Sequence, residues 1–277
     1  MKELFLLLLL LLILGLCFLI FFMMPRFSKR KALLPFAKWN YAHRGYHDLA
    51  KGFPENSLPA FERACTHGYG MELDVQLTKD QKLVVLHDFS LLRACGIDAQ
   101  VDELTLDEIK KLRLFNTECT IPTFEEVLKL VDGRTPLIVE IKSTERIERT
   151  CLKVYDLLRN YPGDYCIESM NPLIMGWFAK NEPQIMRGQL ATHIPSKGKP
   201  LTAISSAALG GMMFNILSKP HFIAYDHRFA QDSHSFSFCK SCGALTVGWT
   251  IREQDYEAAI HQYDAIIFEG FLPPVRF

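Results

Sequence analysis

The chain has no excess of charge of either sign, since 31 basic and 31 acidic side chains give its 277 residues a formal net charge of zero. No long basic stretch is present, so nucleic acid, which proteins bind largely through its phosphates, is not an expected partner. No internal repeat is evident, and the only low-complexity stretch is a leucine-rich run near the N-terminus. These absences favour one globular domain of about 240 residues after that run.

The cysteines are present but lack a pattern. They do not form the dense set typical of a small secreted domain held by disulfides. Cys239 and Cys242 make a C-x-x-C pair without the two further ligands that a structural zinc site would need nearby. Packing is their expected role, and the pattern favours a reducing compartment. The eight are Cys17, Cys65, Cys95, Cys119, Cys151, Cys166, Cys239 and Cys242.

The run from Leu4 to Met24 contains 21 residues and no charge. As a helix it would extend about 31 Å, which matches one bilayer core, so contact with a lipid bilayer is expected. A signal peptide is the alternative, but its apolar region is usually shorter and is followed by small residues at a cleavage site. Here the run ends in two phenylalanines, two methionines and Pro25, which favours an uncleaved anchor.

The charges around this run predict its orientation. Arg26, Lys29, Arg30 and Lys31 follow it, whereas Lys2 alone precedes it, beside an acid. The positive-inside rule then predicts a single-pass protein of the cell membrane with its large C-terminal part in the cytoplasm. The same cations could also contact lipid headgroups. The expected organisation is an anchor over residues 1–25, a basic tether over 26–38 and one large folded domain over 39–277.

Strand-length apolar runs alternate with amphipathic stretches after the tether, which favours a parallel sheet with crossover helices. Eight such units predict a (β/α)₈ TIM barrel, in which an active site lies at the C-terminal ends of the strands. An additional strand over 82–86 is expected to turn back on the second. The predicted strands are 39–42, 71–75, 137–141, 165–168, 185–190, 222–225, 245–249 and 265–268. The predicted helices are 57–67, 123–131, 145–160, 172–181, 231–239 and 253–261.

Acidic side chains lie at the ends of two of these strands. Because side chains alternate along a strand, Glu72 and Asp74 share one face, and Glu140 shares a face with Lys142. Three carboxylates that converge without a cation would repel one another. A hard divalent ion relieves the repulsion, and oxygen ligands favour Mg²⁺ or Ca²⁺. Ordinary solvated polar residues at strand ends are the alternative interpretation.

Two histidines end strands and are each followed by a charged residue, His43 by Arg44 and His87 by an aspartate. Imidazole accepts or donates protons near neutral pH, so the two are candidates for an acid–base pair. Arg44 can hold phosphate oxygens in a bidentate manner, and Lys142 can add a point charge. These residue types are those that a metal-assisted cleavage of a phosphodiester requires.

In this order the motifs resemble those of the glycerophosphodiester phosphodiesterase family, most closely over residues 40–143. The resemblance implies a TIM barrel that hydrolyses glycerophosphodiesters to an alcohol and sn-glycerol 3-phosphate with one divalent cation. It makes Glu72, Asp74 and Glu140 metal ligands and His43 and His87 the acid–base pair. It also implies that Arg44 and Lys142 hold phosphate and that Glu55 supports the metal or the glycerol. The motifs are His43-Arg44-Gly45, Pro54-Glu55-Asn56-Ser57, Glu72-Leu73-Asp74-Val75, His87-Asp88 and Glu140-Ile141-Lys142.

Two segments depart from the family pattern, and both lie where the rim of the site is expected. One follows the His-Asp motif at 92–96, and the other is Phe268-Glu269-Gly270, where Asp-x-Pro is usual. Trp249 either lines the glycerol or acyl side of the site or is a buried aromatic.

A lysophospholipase D or another phospholipase activity is an alternative function, and a non-catalytic tethered barrel is another. With a lysophospholipid substrate, the helix would be expected to bring the barrel mouth close to the bilayer.

Overall fold

The computed structural model describes residues 2–26, 35–193 and 212–277. Eight parallel strands close into a barrel, because β1 pairs with both β2 and β9, and the predicted TIM barrel is confirmed. The additional strand β3 pairs antiparallel with β2, as expected. The strands are β1 Asn40–Ala42, β2 Gly70–Leu77, β3 Leu83–Val85, β4 Leu137–Ile141, β5 Tyr165–Ser169, β6 Arg187–Ala191, β7 Phe222–Asp226, β8 Leu245–Ile251 and β9 Ala265–Phe268.

Helices cover the outside of the barrel in the part of the chain that the structure describes. Several begin at the caps that the sequence offers, for example at Ser57 and at Thr123, whose side chains accept hydrogen bonds from the first turn. Single turns of 3₁₀ helix lie at 49–51, 101–103, 114–116 and 253–255. The α-helices are α1 Lys2–Met23, α2 Leu58–His67, α3 Leu92–Cys95, α4 Leu106–Ile109, α5 Phe124–Val131, α6 Ile147–Leu158, α7 Pro172–Asn181, α8 Asn215–Ser218, α9 His227–Ala230, α10 His234–Ser241 and α11 Tyr256–Gln262.

The helix predicted over 231–239 is wrong in extent, because α10 begins later, at His234, and a separate short helix, α9, precedes the predicted range. The side chain of Asp226 accepts a hydrogen bond from the backbone of Arg228 and starts α9. The side chain of Ser233 then accepts one from the backbone of Phe236 and starts α10. The predicted range begins after α9 has ended and before α10 begins.

Side-chain alternation along β2 separates the core from the site. Met71, Leu73 and Val75 point outward and are buried under the helices, where each contributes about 1.5–3 kcal/mol. Glu72 and Asp74 point to the interior of the barrel and are also buried. The predicted division of this strand into an apolar face and an acidic face is confirmed.

The N-terminal apolar run forms α1, which is long and apolar enough to cross a membrane, and none of its apolar span is buried against the barrel. Lys29, Arg30 and Lys31, on which the predicted orientation depends, lie outside the described residues, as does most of the tether. The predicted topology and domain boundaries therefore stay predictions.

Candidate active site

The structure brings most of the predicted site residues to the mouth of the barrel, which we define as the face at the C-terminal ends of the parallel strands. His43 directly follows β1, and Lys142 directly follows β4. In the register between β2 and β4, Asp74 lies opposite Glu140. Neighbouring strands therefore place the acids side by side, although 66 positions separate them in the sequence.

Glu72, Asp74 and Glu140 form a compact cluster in which one carboxylate oxygen of each lies within 4.8 Å of the others. All three side chains are buried. Burial, with repulsion from the other two acids, raises the pKa of Glu72 well above its usual value. Burial also raises the pKa of Glu140, to about 7. An oxygen-only set of this kind fits a hard divalent cation, whose charge would remove the repulsion.

Asp74 stays ionised because cations surround it. Burial alone would raise its pKa, but attraction from Lys142, His87 and Arg44 holds the pKa well below its usual value. Nζ of Lys142 lies 3.3 Å from Oδ1 of Asp74 and 2.9 Å from Oε1 of Glu140. This lysine therefore stands at the edge of the acidic cluster.

Cation binding should weaken as the pH falls, because protons on Glu72 and Glu140 compete with the metal. Both pKa values are raised, so the acids are protonated at higher pH than usual and must lose protons on binding. The affinity should then rise about tenfold per pH unit for each proton displaced from about pH 5 to 7. Calorimetric titration with Mg²⁺ or Ca²⁺ across this range checks the slope, and a flat profile would contradict it.

The loop after β1 folds over the acids with its backbone as well as its side chains. The backbone N–H of Arg44 donates to Oε2 of Glu72 at 3.0 Å, and Asn56 donates to Oδ2 of Asp74 at 2.9 Å. Arg44, Gly45 and Asn56 all have positive φ angles. A Cβ on Gly45 would lie 3.0 Å from the backbone of α2, so glycine permits this close approach.

Glu55 lies between two guanidinium groups and is not one of the three clustered acids. Its Oε1 accepts from Nη1 of Arg44 at 2.8 Å and from Nη2 of Arg93 at 2.7 Å. Burial would raise its pKa, but the arginines lower it overall, so the carboxylate stays charged. In this position Glu55 holds Arg44 against the mouth. Arg93 comes from the segment that departs from the family pattern.

The carboxylate of Glu269 orients His43 through a contact that sequence reasoning missed. Nδ1 of His43 lies 2.6 Å from Oε2 of Glu269, and since a carboxylate only accepts, Nδ1 carries the proton. Ala42 pairs with Phe268, so the two residues that follow these strand ends are neighbours. The sequence offered one signal for this contact, an acidic residue directly after the last strand. In a closed barrel the last strand must lie beside the first, which ends next to His43. Burial lowers the pKa of His43, and the bond to Glu269 opposes this shift.

His87 has a carboxylate partner of its own. Its Nδ1 lies 2.7 Å from Oδ1 of Asp88, and the other oxygen of Asp88 accepts from Nε of Arg93. Burial lowers the pKa of His87, while Asp74 and Asp88 oppose the shift. Both imidazoles therefore donate from Nδ1 and have Nε2 left for a substrate.

Trp249 lies near the end of β8, opposite Asp226 of β7. It is half-buried and packs against the apolar interior of the barrel. Its indole Nε1 is buried without a hydrogen-bond partner among the described residues. The packing agrees with the interpretation of Trp249 as a partly buried aromatic, and its contact with glycerol or an acyl chain stays a prediction.

An open cleft of about 530 Å³ extends from the site to the surface. Phe89 and Leu92 line it and are 48% and 57% exposed. We call it the mouth cleft, and it is lined by His87, Asp88, Phe89, Ser90, Leu92, Arg93, Gln100 and Lys142.

The mouth of this closed barrel holds three clustered carboxylates, two histidines that are each oriented by a carboxylate, and two cations. These features define the class of protein, which is a (β/α)₈ barrel with a candidate site for metal-assisted acid–base chemistry. Residues 43–271 match the model of the glycerophosphoryl diester phosphodiesterase family, and the chain belongs to that family.

Individual relatives agree with this assignment. A glycerophosphodiester phosphodiesterase of Bacillus altitudinis is 42% identical over 117 residues, which are 39% of this chain and 46% of that protein. The chain thus spans about half the length of the curated relatives that it matches with highest identity. A probable glycerophosphodiester phosphodiesterase of Mycobacterium tuberculosis is 28% identical over 81% of this chain and 77% of its own length.

Solved structures share the barrel over most of the chain. A glycerophosphodiester phosphodiesterase from Parabacteroides distasonis has a TM-score of 0.65 and 26% identity, covering 84% of this chain and 93% of its own. A phosphodiesterase from Oleispira antarctica, solved with the product sn-glycerol-3-phosphate, has a TM-score of 0.67 and 23% identity over the same shares. At that identity the second likeness concerns the fold alone.

Proposed function

We propose that this barrel hydrolyses glycerophosphodiesters to an alcohol and sn-glycerol 3-phosphate. The observation that carries the proposal is the cluster of Glu72, Asp74 and Glu140 beside two histidines that are each oriented by a carboxylate. Family membership supports the reaction class, and the name of the Bacillus altitudinis relative, a glycerophosphodiester phosphodiesterase, supports the substrate class.

Glu72, Asp74 and Glu140 would hold one divalent cation, Mg²⁺ or Ca²⁺. When bound, that ion supplies charge stabilisation at the phosphate and lowers the pKa of a hydroxyl or water next to it. Arg44 and Lys142 are placed to hold phosphate oxygens, since both already border Asp74. Arg44 is fixed for this role by Glu55.

The two histidines divide the proton transfers. One neutral imidazole takes the proton of the attacking hydroxyl at Nε2 as the new P–O bond forms. The other, protonated at Nε2, gives its proton to the oxygen of the leaving alcohol as the old P–O bond breaks. The partners Glu269 and Asp88 stabilise the imidazolium form at His43 and at His87 respectively. Protons and charges balance in one cleavage, because one histidine gains the proton that the other loses. The two histidines return to their starting protonation states by proton exchange with water before the next turnover.

The attacking group is either water or the 2-hydroxyl of the substrate's own glycerol. Attack by water yields glycerol phosphate directly, whereas attack by the hydroxyl yields a cyclic phosphate that water must then open. Phosphorus NMR during turnover separates the two routes, because a transient cyclic ester is visible only on the second.

Release of glycerol 3-phosphate from glycerophosphocholine and glycerophosphoethanolamine, measured after metal removal and again after metal return, tests the function. We expect no release by the stripped protein and recovery with Mg²⁺ or Ca²⁺. A protein that binds the cation and the substrate but never releases product would be a non-catalytic barrel, and the proposal would be wrong.

Lysophospholipids are a second candidate substrate, and the exposed Phe89 and Leu92 favour them specifically. Both side chains line the mouth cleft beside His87, where an acyl chain on the glycerol could lie. A protein of Rattus norvegicus named lysophospholipase D is 30% identical over 40% of this chain. A substrate without an acyl chain, such as glycerophosphocholine, would leave the apolar side chains of Phe89 and Leu92 uncovered.

Replacing Leu92 with serine should lower kcat/KM for lysophosphatidylcholine about 5- to 30-fold, because about 1–2 kcal/mol of apolar contact is lost. Turnover of glycerophosphocholine should not change. Leu152→Ser is the matched control, since Leu152 is 46% exposed on α6, outside the mouth cleft. Paired kinetic assays of both substrates check this, and equal losses on both would contradict an acyl contact.

We also propose that α1 anchors the protein in a cell membrane as a single span, with the barrel on the cytoplasmic side. Its length and composition support the anchor, but a signal sequence passes the same test. The mass of the mature protein distinguishes the two, because a cleaved signal removes this helix. Protease added to intact cells should leave the barrel uncut, and digestion from outside would reverse the orientation.

A further inference from the structure

The C-terminal end of α1 is seated on the barrel by hydrogen bonds from buried side chains. The backbone carbonyl of Met23 accepts from Nδ2 of Asn215 at 2.8 Å and from Sγ of Cys239 at 3.4 Å. The backbone N–H of Arg26 donates to the carbonyl of Pro220 at 2.9 Å. Asn215, Cys239 and Pro220 are all buried. The helix therefore ends against the barrel at a defined place.

That place is the face of the barrel opposite to the mouth, which we call the base. Pro220 lies two residues before β7 begins at Phe222. The carbonyl of Ser218, in the same helix as Asn215, accepts from the guanidinium of Arg187, the first residue of β6. Beginnings of parallel strands lie together at one end of a barrel, and their C-terminal ends lie at the other.

The chain stays at the base where it is next described. The backbone carbonyl of Phe36 accepts from the hydroxyl of Tyr41, and the backbone N–H of Lys38 donates to the carbonyl of Asp264, which immediately precedes β9. The candidate site lies beyond the other ends of the same strands. Along β7 alone, the step from Phe222 at the base to Asp226 at the mouth is roughly 13 Å, at 3.3 Å per residue.

The surface around the end of α1 has the character of a membrane-facing surface. Lys219 and Lys240 are exposed next to the seat, and Arg26 belongs to it. Leu217, on the helix that contacts α1, is 45% exposed. Cations close to an anionic leaflet are attracted to it, and an exposed leucine can enter the interface. Anionic lipid headgroups therefore match both the charge and the apolar surface found here.

We infer that the base of the barrel rests on the bilayer and that the mouth opens away from it into the water. The inference rests on the proposed anchor and deepens the proposed function, because it makes the substrate one that arrives from the aqueous phase. Water-soluble, deacylated glycerophosphodiesters meet this requirement directly. A lysophospholipid would have to leave the membrane before it reached His87. This arrangement is the reverse of a mouth held against the lipid.

The three tryptophans of the chain offer a direct test. Trp39 lies at the base, one residue before β1, and Trp249 lies near the mouth end of β8. Two full-length variants would each keep one of these residues, with the other and Trp177 changed to phenylalanine. Each variant would be reconstituted into phosphatidylcholine–phosphatidylglycerol vesicles, with or without a nitroxide on the lipid headgroup, which quenches only nearby fluorophores.

We expect the nitroxide to quench Trp39 severalfold more than Trp249. Equal quenching, stronger quenching of Trp249 or no quenching of either would overturn the inference, as would a chain that fails to float with the vesicles. Lys219→Glu with Lys240→Glu should reduce the quenching of Trp39 in the anionic vesicles. The fluorescence does not depend on turnover, so an inactive protein with quenched Trp39 would overturn the proposed function and leave this inference standing.

Discussion

Asp74→Asn should nearly abolish turnover while the barrel stays folded, and Glu72→Gln and Glu140→Gln should do the same. Each acid supplies one oxygen to the cluster, and loss of the cation removes several kcal/mol of charge stabilisation, or roughly 10³-fold in rate. Asp74 should have the largest effect, because Lys142 and Arg44 also depend on its charge. Steady-state rates after metal removal and return, with calorimetric metal titration, measure both losses.

Folding needs its own control, because these acids are buried. Removing mutual repulsion in a metal-free protein should leave the thermal unfolding midpoint of Glu72→Gln unchanged or higher, since burial and its neighbours already disfavour its charge. Glu118→Gln, at a side chain that is 98% exposed, is the matched neutral change. Full activity in a carboxylate variant would remove that residue from the metal site.

His43→Ala and His87→Ala should each lower kcat by roughly 10²- to 10⁴-fold, which is the usual contribution of a positioned acid or base. Metal affinity should change far less than in the carboxylate variants, since neither imidazole belongs to the clustered acids. Kinetics and metal titration on the same preparations separate the two effects. A histidine variant that loses metal and keeps its rate at saturating metal would make that residue a ligand.

The variant Glu269→Gln should show whether His43 acts as the general base or as the general acid. The ionised carboxylate stabilises protonated His43, so its loss should lower the pKa of that imidazole. If His43 is the base, the acidic limb of the pH–rate profile moves to lower pH. If His43 is the acid, the basic limb moves to lower pH instead. An unmoved profile with a lowered rate would show that Glu269 only fixes the geometry of the ring.

Much of the barrel could be predicted from the chain, because the patterns concerned are local. Side-chain alternation along β2 places Met71 and Glu72, which are adjacent in sequence, on opposite faces of the strand, independently of the rest of the fold. The extra antiparallel strand also follows from a nearby turn. The break between α9 and α10 was missed because Asp226 and Ser233 each cap a helix of their own, and both residue types are also common in turns.

The sequence by itself determined the class of fold, the acid-rich ends of two strands and the apolar N-terminal run, since each depends on residues close together in the chain. Only the tertiary structure decided that Glu269 holds His43 and that Arg93 reaches Glu55, because barrel closure and loop folding join residues far apart in sequence. It also decided that α1 ends at the base. Local sequence patterns do not show how far apart such segments lie in space, because that distance is determined by tertiary packing.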